Sequence, residues 1–591
     1  LRKVKLFIIA AIFMFSGFMF PESGRAAGII VNPNQVYSFG DMITDMYKLK
    51  SAYPGLVQVK VIGKSEYGRN LYAIGLGKGS ANVFVNGSHH AREWMTTTLN
   101  MYMINHYAEA YTKNTSIGGY NARTILNQTT IWFVPMINPD GVKLQQEGLK
   151  AFPQSMHASL KKMNEGSTNF KRWKANAKGV DLNRQYNAGW KALKGPTAPR
   201  YKDFKGYAPQ SAAETKAVIK FVNGINPEMA VSYHSSGKIL YWKYSQTGSQ
   251  YTRDHAYAKK IGSLTGYRLI YPQGIPSGGG FTDWFTSFKK RPGFTPEISK
   301  PVYETNPPLS EFAGAWRENQ AVGLYVAQES AKLYNDRLFA QLKPKFVQLT
   351  IDSRQLRPYY YSEVKNVADL KITKAHTDLY NSLSSRNKSL TSQAAKLPSS
   401  YRTKLATYQK EINAHITNSG NFIAGVKAGD ALLAQKKALN DKLTAGALDT
   451  GIAAMHKKLI DSTAATSRAV TKMAWASVRS LANTKYIVPT TITKDNTMYE
   501  IKRYGLTSEI EQLLQPENLP VVKEKLAQLD QLEIEAAEYK KARNAENPGK
   551  FYSFPATEAL LKSKKDAIIA WIAETEASAE QINSDEETET P

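Results

Sequence analysis

The chain of 591 residues contains no cysteine. That absence excludes disulfides, thiolate metal sites and a cysteine nucleophile. Any bound metal must therefore use His, Asp or Glu. An exported protein without disulfides suits a Gram-positive bacterium better than an animal. Long apolar runs are also scarce. The longest is Leu6 to Phe20, too short for a comfortable membrane span. It follows Arg2, Lys3 and Lys5 and precedes Gly24 and Ala26, so residues 1–26 read as a signal peptide. Acidic residues are few, 50 against 77 Lys and Arg, giving a formal net charge of +27. The imbalance is uneven, because residues 501–591 carry 18 acidic and 11 basic side chains. A basic surface outside a cell meets anionic wall polymers or lipid headgroups. No helix-turn-helix, zinc-finger or aromatic-basic motif supports nucleic acid as a partner.

What is present divides into two halves. From residue 36 to 342, β-branched runs bounded by Gly, Asn, Pro and Ser alternate with amphipathic segments. Val57–Ile62, Leu71–Leu76, Asn82–Asn86, Thr130–Ile137, Met229–Tyr233 and Gly293–Ile298 read as strands. Met95–Tyr111, Ala212–Asn223, Asp254–Gly262 and Phe312–Leu333 read as helices. This alternation predicts an α/β domain with a mixed sheet. Beyond Pro358 the strand signals fade, and Leu, Ile and Ala recur at helical spacing, punctuated by Gly420, Gly425, Gly429, Gly446 and Gly451. That pattern predicts all-α bundles over 358–485 and 486–582, with a β-like interruption at Tyr486–Ile492 and an acidic, disordered tail over 583–591.

Chemistry-bearing residues fall at strand ends in the first half. The strand ending at Asn86 leads into Gly87-Ser88-His89-His90-Ala91-Arg92-Glu93. Met229–Tyr233 leads into His234, and a third strand carries Glu297. Open α/β sheets place their ligand sites at the carboxyl ends of strands. Two histidines and a glutamate around one open position form a catalytic zinc arrangement. Taken singly, each residue has a structural reading: a surface His-x-x-Glu pair, a core histidine, a buried ion pair for Glu297. His89 also reaches Glu93 at four-residue spacing, so spacing leaves open which histidine ligates.

Five segments together resemble the motifs of the zinc carboxypeptidase family: Asn86 to Trp94, Asn138 to Gly141, Gly179 to Arg184, Tyr233 to Ser235, and Phe294 to Glu297. Their order and spacing match over roughly Tyr37 to Leu333. The resemblance implies a mixed eight-stranded sheet with helices on both faces. It implies one zinc ion held by His90, Glu93 and His234, with His89 a bystander and Glu297 the general base. It further implies that Asp181 orients a ligand histidine, that Asn183 and Arg184 grip a substrate carboxylate, and that Arg92 lies on the substrate side. Two departures stand out. The oxyanion position holds Lys174, with Arg172 nearby as a substitute. The position of a mobile tyrosine holds Ile275, with Tyr271 out of register, and the position that sets side-chain preference holds Thr282.

The segment Ser277 to Phe285 resembles a bacterial branch of the family, some members of which cleave the γ-D-glutamyl bond to meso-diaminopimelate. The expected function is a secreted zinc metallocarboxypeptidase acting on peptides. The alternatives are an endopeptidase acting on muropeptides and a non-catalytic wall-binding protein. The helical half reads either as a wall-polymer anchor, resembling helical regions of bacterial S-layer proteins, or as a spacer bundle with a solvated basic face.

Overall fold

A computed structural model of the protein describes residues 28–272 and 278–588. The signal peptide expected over residues 1–26 and the Ile275 position lie outside the described residues. The chain divides into two compact units at Leu338 and Phe339.

The first unit is built on one sheet. Its strands are β1 (Val57–Lys64), β2 (Asn70–Gly77), β3 (Ala81–Asn86), β4 (Thr129–Val134), β5 (Met229–Ser232), β6 (His234–Ser235), β7 (Ile239–Tyr241), β8 (Arg268–Ile270) and β9 (Gly293–Ile298). Their order is β1-β2-β4-β3-β5-β9-β7-β8, with the two-residue β6 pairing β9 off this path. The expected eight strands are thus present, with β6 as a short addition. β4, β3, β5 and β9 run parallel to one another, while β1, β2 and β4 pair antiparallel, as do β9 and β7.

The parallel centre explains the near-continuous apolar runs, because both sheet faces are covered. The strand period of two sends alternate residues to different cores. Val83, Val85, Ile131, Phe133 and Val231 pack with α1 (Phe39–Ala52), α2 (Met95–Lys113) and other helices on one face. Phe84, Trp132, Val134 and Ala230 pack with α3 (Ala213–Ile225) and α5 (Phe281–Lys289) on the other. Each fully buried side chain of this size contributes about 1.5–3 kcal/mol. In sequence α4 (Gly248–Thr265) falls between α3 and α5, but its Ala258 and Ile261 pack into the first core. The expected helix over Phe312–Leu333 is split into α6 (Phe312–Asn319) and α7 (Val322–Arg354).

The second unit is helical. Its long elements are α8 (Lys374–Ala394), α9 (Ala406–Thr444), α10 (Ile452–Thr471), α11 (Val488–Glu511), α12 (Leu519–Glu546) and α13 (Pro555–Thr588). Three expectations are corrected here. Gly420, Gly425 and Gly429 do not break the chain but lie inside the 39-residue α9. Met473 and Tyr486 pack onto the bare backbone at Gly425 and Gly429, where any Cβ would collide with them. The segment Tyr486–Ile492 is helical rather than β-like, a π turn over Asn483–Ile487 leading into α11. Within it Tyr486 and Thr490 are fully enclosed, whereas Val488 is exposed. The acidic tail is helical as far as Thr588. Glu and Gln are good helix formers, and no Gly or Pro interrupts them before Pro591. Among the described residues no helix is long and apolar enough to cross a membrane.

Candidate zinc site and substrate cleft

The carboxyl ends of β3, β5 and β9 adjoin one another, and the candidate residues leave from those ends. Beyond β3 the chain turns sharply at Gly87, where a side chain would press on Asn100, Thr96 and the Pro135 carbonyl. Ser88 N donates to Thr96 Oγ1 at 2.8 Å, and Glu93 N donates to His90 O at 3.1 Å. This tight turn brings His90 and Glu93 to one side. Tyr233 N donates to Asn86 O at 2.9 Å, which aligns the exit of β5 with that of β3. His234 and Glu297 are then direct partners in the parallel β6–β9 register. Sequence separation of 63 residues therefore becomes one ladder step.

His90, Glu93 and His234 are buried, and their ligand atoms lie within 4.8 Å of one another. Glu93 spreads its two oxygens between the histidines: Oε1 is 2.7 Å from His90 Nδ1 and Oε2 is 2.8 Å from His234 Nδ1. The two Nδ1 atoms are only 3.1 Å apart. His90 Nε2 faces Asp181 Oδ1 at 3.2 Å. An Nε2 proton donated to that carboxylate leaves the Nδ1 lone pair free, the arrangement by which an outer carboxylate fixes the tautomer of a ligand histidine. Two imidazole lone pairs and a carboxylate converging this closely repel one another unless a cation lies among them. Two nitrogens and one carboxylate suit zinc. The donor set therefore fits the metal. His89 takes no part, because its Nε2 contacts Tyr186 Oη at 2.9 Å and its Nδ1 faces Ser232 Oγ at 3.4 Å.

Charge is layered behind the ligands. Asp181 is fully buried, and Lys174 Nζ lies 3.0 Å from its Oδ2 and 2.8 Å from Asp203 Oδ1. Burial works to raise the Asp181 carboxyl, but Lys174 and His90 overcome it and hold the group well below the usual range. Burial likewise acts against ionisation of Glu93, and the two histidines reverse the effect. Burial opposes the charge on Lys174 too, yet Asp181 and Asp203 raise its pKa. Glu297 behaves oppositely. Burial, then the charge of Glu93, pushes it well above the ordinary carboxylate range, against the pull of Lys174 and Arg184.

These groups open into a cleft of about 730 Å³ lined by His90, Arg92, Glu93, Lys174, Asn183, Arg184, His234, Thr282 and Glu297, among others. The expected ligands, Glu297, Lys174, Arg92, Asn183, Arg184 and Thr282 thus line one cleft, with Asp181 behind His90. Asn183 Oδ1 accepts from Phe281 N at 2.9 Å, and Arg184 Nη1 donates to Asn183 O at 2.9 Å. Arg184 forms no ion pair with any described carboxylate. Arg92 Nη1 donates to Arg172 O and lies 3.6 Å from Glu304. Thr282 Oγ1 is 2.8 Å from Thr295 Oγ1. Arg172 is not among the cleft residues. It pairs with Glu165 and stacks over Tyr201, so it does not replace Lys174. Tyr271 is held by His255 at 2.8 Å. Sequence reasoning gave no role to Asp203, Lys243, Asp283 and Glu304: Asp283 sits inside the segment 277–285 beside Thr282, and the other three lie in loops with no spacing signal linking them to the motifs.

The family model described as zinc carboxypeptidase matches residues 42–322, and one described as SbsC C-terminal domain matches residues 361–491. The chain is 35% identical over 301 residues to gamma-D-glutamyl-L-diamino acid endopeptidase 1 of Lysinibacillus sphaericus, covering 50% of this chain and 73% of that protein. It is 30% identical to the uncharacterized protein YqgT of Bacillus subtilis, covering 48% and 75%. It is 26% identical to carboxypeptidase B of Rattus norvegicus, covering 39% and 55%. With the His-Glu-His cluster, the adjoining Glu297 and the sheet that positions them, these likenesses establish that the chain belongs to the zinc carboxypeptidase family and is a zinc metallopeptidase.

Proposed function

We propose that the enzyme hydrolyses the bond joining a γ-D-glutamyl residue to a diamino acid in cell-wall peptides. The observation that carries this reading is the cleft lining. Where a pocket for an aromatic side chain would be apolar, this one presents Thr282, Thr295, Lys243 and Asp283, with Arg184 unpaired beside them. A polar, multiply charged leaving group matches that lining, and the Lysinibacillus relative names a diamino acid substrate.

His90, Glu93 and His234 hold the zinc. The chemistry zinc supplies when bound is Lewis acidity toward a water and toward a carbonyl oxygen. Glu297 receives one proton from the attacking water and passes it to the departing amine as the C–N bond breaks. Lys174, fixed by Asp181 and Asp203, places positive charge where the oxyanion develops. Arg184 and Asn183 bind the leaving group's free carboxylate, for which the guanidinium fork is suited. Arg92, beside Glu304, also lines the cleft. Export through residues 1–26 and attachment of the basic stretch of the helical region, within residues 351–500, to anionic wall polymers complete the reading.

The test is a comparison of L-alanyl-γ-D-glutamyl-meso-diaminopimelate with an α-linked hippuryl peptide, each with and without a chelator. The proposal expects cleavage of the γ-linked peptide, lost with chelator and restored by zinc. Cleavage of the α-linked peptide alone would make the enzyme an ordinary carboxypeptidase.

A further inference from the structure

Around Thr282 the cleft wall carries Tyr241, Lys243 and Asp283, and the same residues border a water-sized recess of about 20 Å³. Lys243 and Asp283 line both the cleft and the recess. Both are half-buried, and among the described residues neither forms an ion pair. The Lys243 ammonium lies over the Tyr251 ring, 5.5 Å from its centroid. One oxygen of Asp283 accepts from Gly280 N at 3.2 Å, closing the first turn of α5. Its other oxygen has no hydrogen-bond donor among the described residues. Two opposite charges held partly out of water without counter-ions are costly, and a ligand that pairs both removes the cost.

Resting on the substrate proposed above, we infer that this part of the cleft, walled by Lys243 and Asp283, binds the distal amino-acid end of the leaving diamino acid. The Lys243 ammonium holds its distal carboxylate, and the free oxygen of Asp283 holds its distal ammonium. Arg184 takes the carboxylate nearer the cleaved bond. Such a leaving group carries three charged groups, and the cleft presents three complementary ones in two places. Lysine in place of diaminopimelate lacks only the distal carboxylate. Norleucine lacks both distal charges. The two residues therefore make separable contributions to specificity.

The experiment measures kcat/KM on three substrates, L-alanyl-γ-D-glutamyl linked to meso-diaminopimelate, to L-lysine and to L-norleucine. The enzymes are wild type, Lys243→Met and Asp283→Asn. Asn at 283 keeps an acceptor for Gly280 N, so α5 retains its cap. A charge-assisted contact changes discrimination by about 10- to 100-fold. Wild type should prefer diaminopimelate over lysine by at least about 10-fold, and Lys243→Met should bring that ratio to about one. Asp283→Asn should collapse the preference for lysine over norleucine in the same way. A Lys243→Met enzyme that keeps the wild-type ratio, or a wild type that cleaves all three alike, overturns the inference and leaves the γ-D-glutamyl assignment standing. A wild type inert on all three, yet active on the α-linked peptide, overturns the substrate assignment and this inference with it.

Discussion

Replacing Asp181 tests the link between the buried charge layer and the metal ligands. Its carboxylate touches His90 Nε2 at 3.2 Å and Lys174 Nζ at 3.0 Å, with no exposure to solvent. Asp181→Asn keeps an oxygen for the His90 proton but removes the charge that strengthens the ligand and balances Lys174. Outer partners of this kind are worth about 10- to 100-fold in metal affinity, or about 1.4–2.7 kcal/mol. Asn should fall near the lower end because one hydrogen bond survives. Ala should fall at the upper end and also destabilise the fold. It leaves Lys174 with only Asp203 and His90 Nε2 with nothing, and breaking a buried pair costs about 3–5 kcal/mol. Zinc affinity is read by titration against a competing chelator, and stability by urea unfolding of the zinc-free protein. Wild-type affinity in both variants would refute the claim that Asp181 acts on the ligand set.

Glu297→Gln should lower kcat by about 10²- to 10⁴-fold, the usual range for a general base, with zinc content unchanged by elemental analysis. Arg184→Ala should raise KM for substrates with a free carboxylate by about 10- to 100-fold, and amidation of that carboxylate should erase the difference. Glu214 gives a pH test away from the metal. Burial pushes its carboxyl from 4.5 up to about 8. The folded state then holds a proton that the unfolded state releases, so this contribution is fully present below pH 4.5 and is gone once pH has risen past 8. Glu214→Gln should therefore flatten the decline in stability between those limits, a difference of a few kcal/mol at about 1.4 kcal/mol per pH unit. Binding of the full-length protein to purified Gram-positive walls should weaken as salt rises, since exposed charges are screened within about 8–10 Å at 0.1–0.15 M. Salt-independent binding, or none at low salt, would remove the anchor reading.

The candidate cluster was legible in outline because each residue sits next to a strand end that the sequence marks clearly, whereas the choice of His90 over His89 rested on the family resemblance. Asn86 and Tyr233 close runs of β-branched and aromatic residues, so the turn that follows them is placed without ambiguity. Glu297 was legible only jointly, since its adjacency to His234 depends on the β6–β9 register. The pairing of Lys174 with Asp203 was not legible, because it joins two irregular loops 29 residues apart with no periodicity in either. Lys243 and Asp283 were hidden for a similar reason: one follows a three-residue strand and the other caps a helix, and only the fold sets them in one recess. In the helical half the glycines misled. Glycine in a helix is costly on average, but at Gly425 and Gly429 close packing by Met473 and Tyr486 decides the outcome.

The most direct measurement is diffraction from crystals of the zinc-loaded protein on either side of the zinc absorption edge. One anomalous peak about 2.0–2.2 Å from His90 Nδ1, His234 Nδ1 and a Glu93 oxygen is the predicted result. A peak held by His89 instead, or none among these three side chains, would contradict the account.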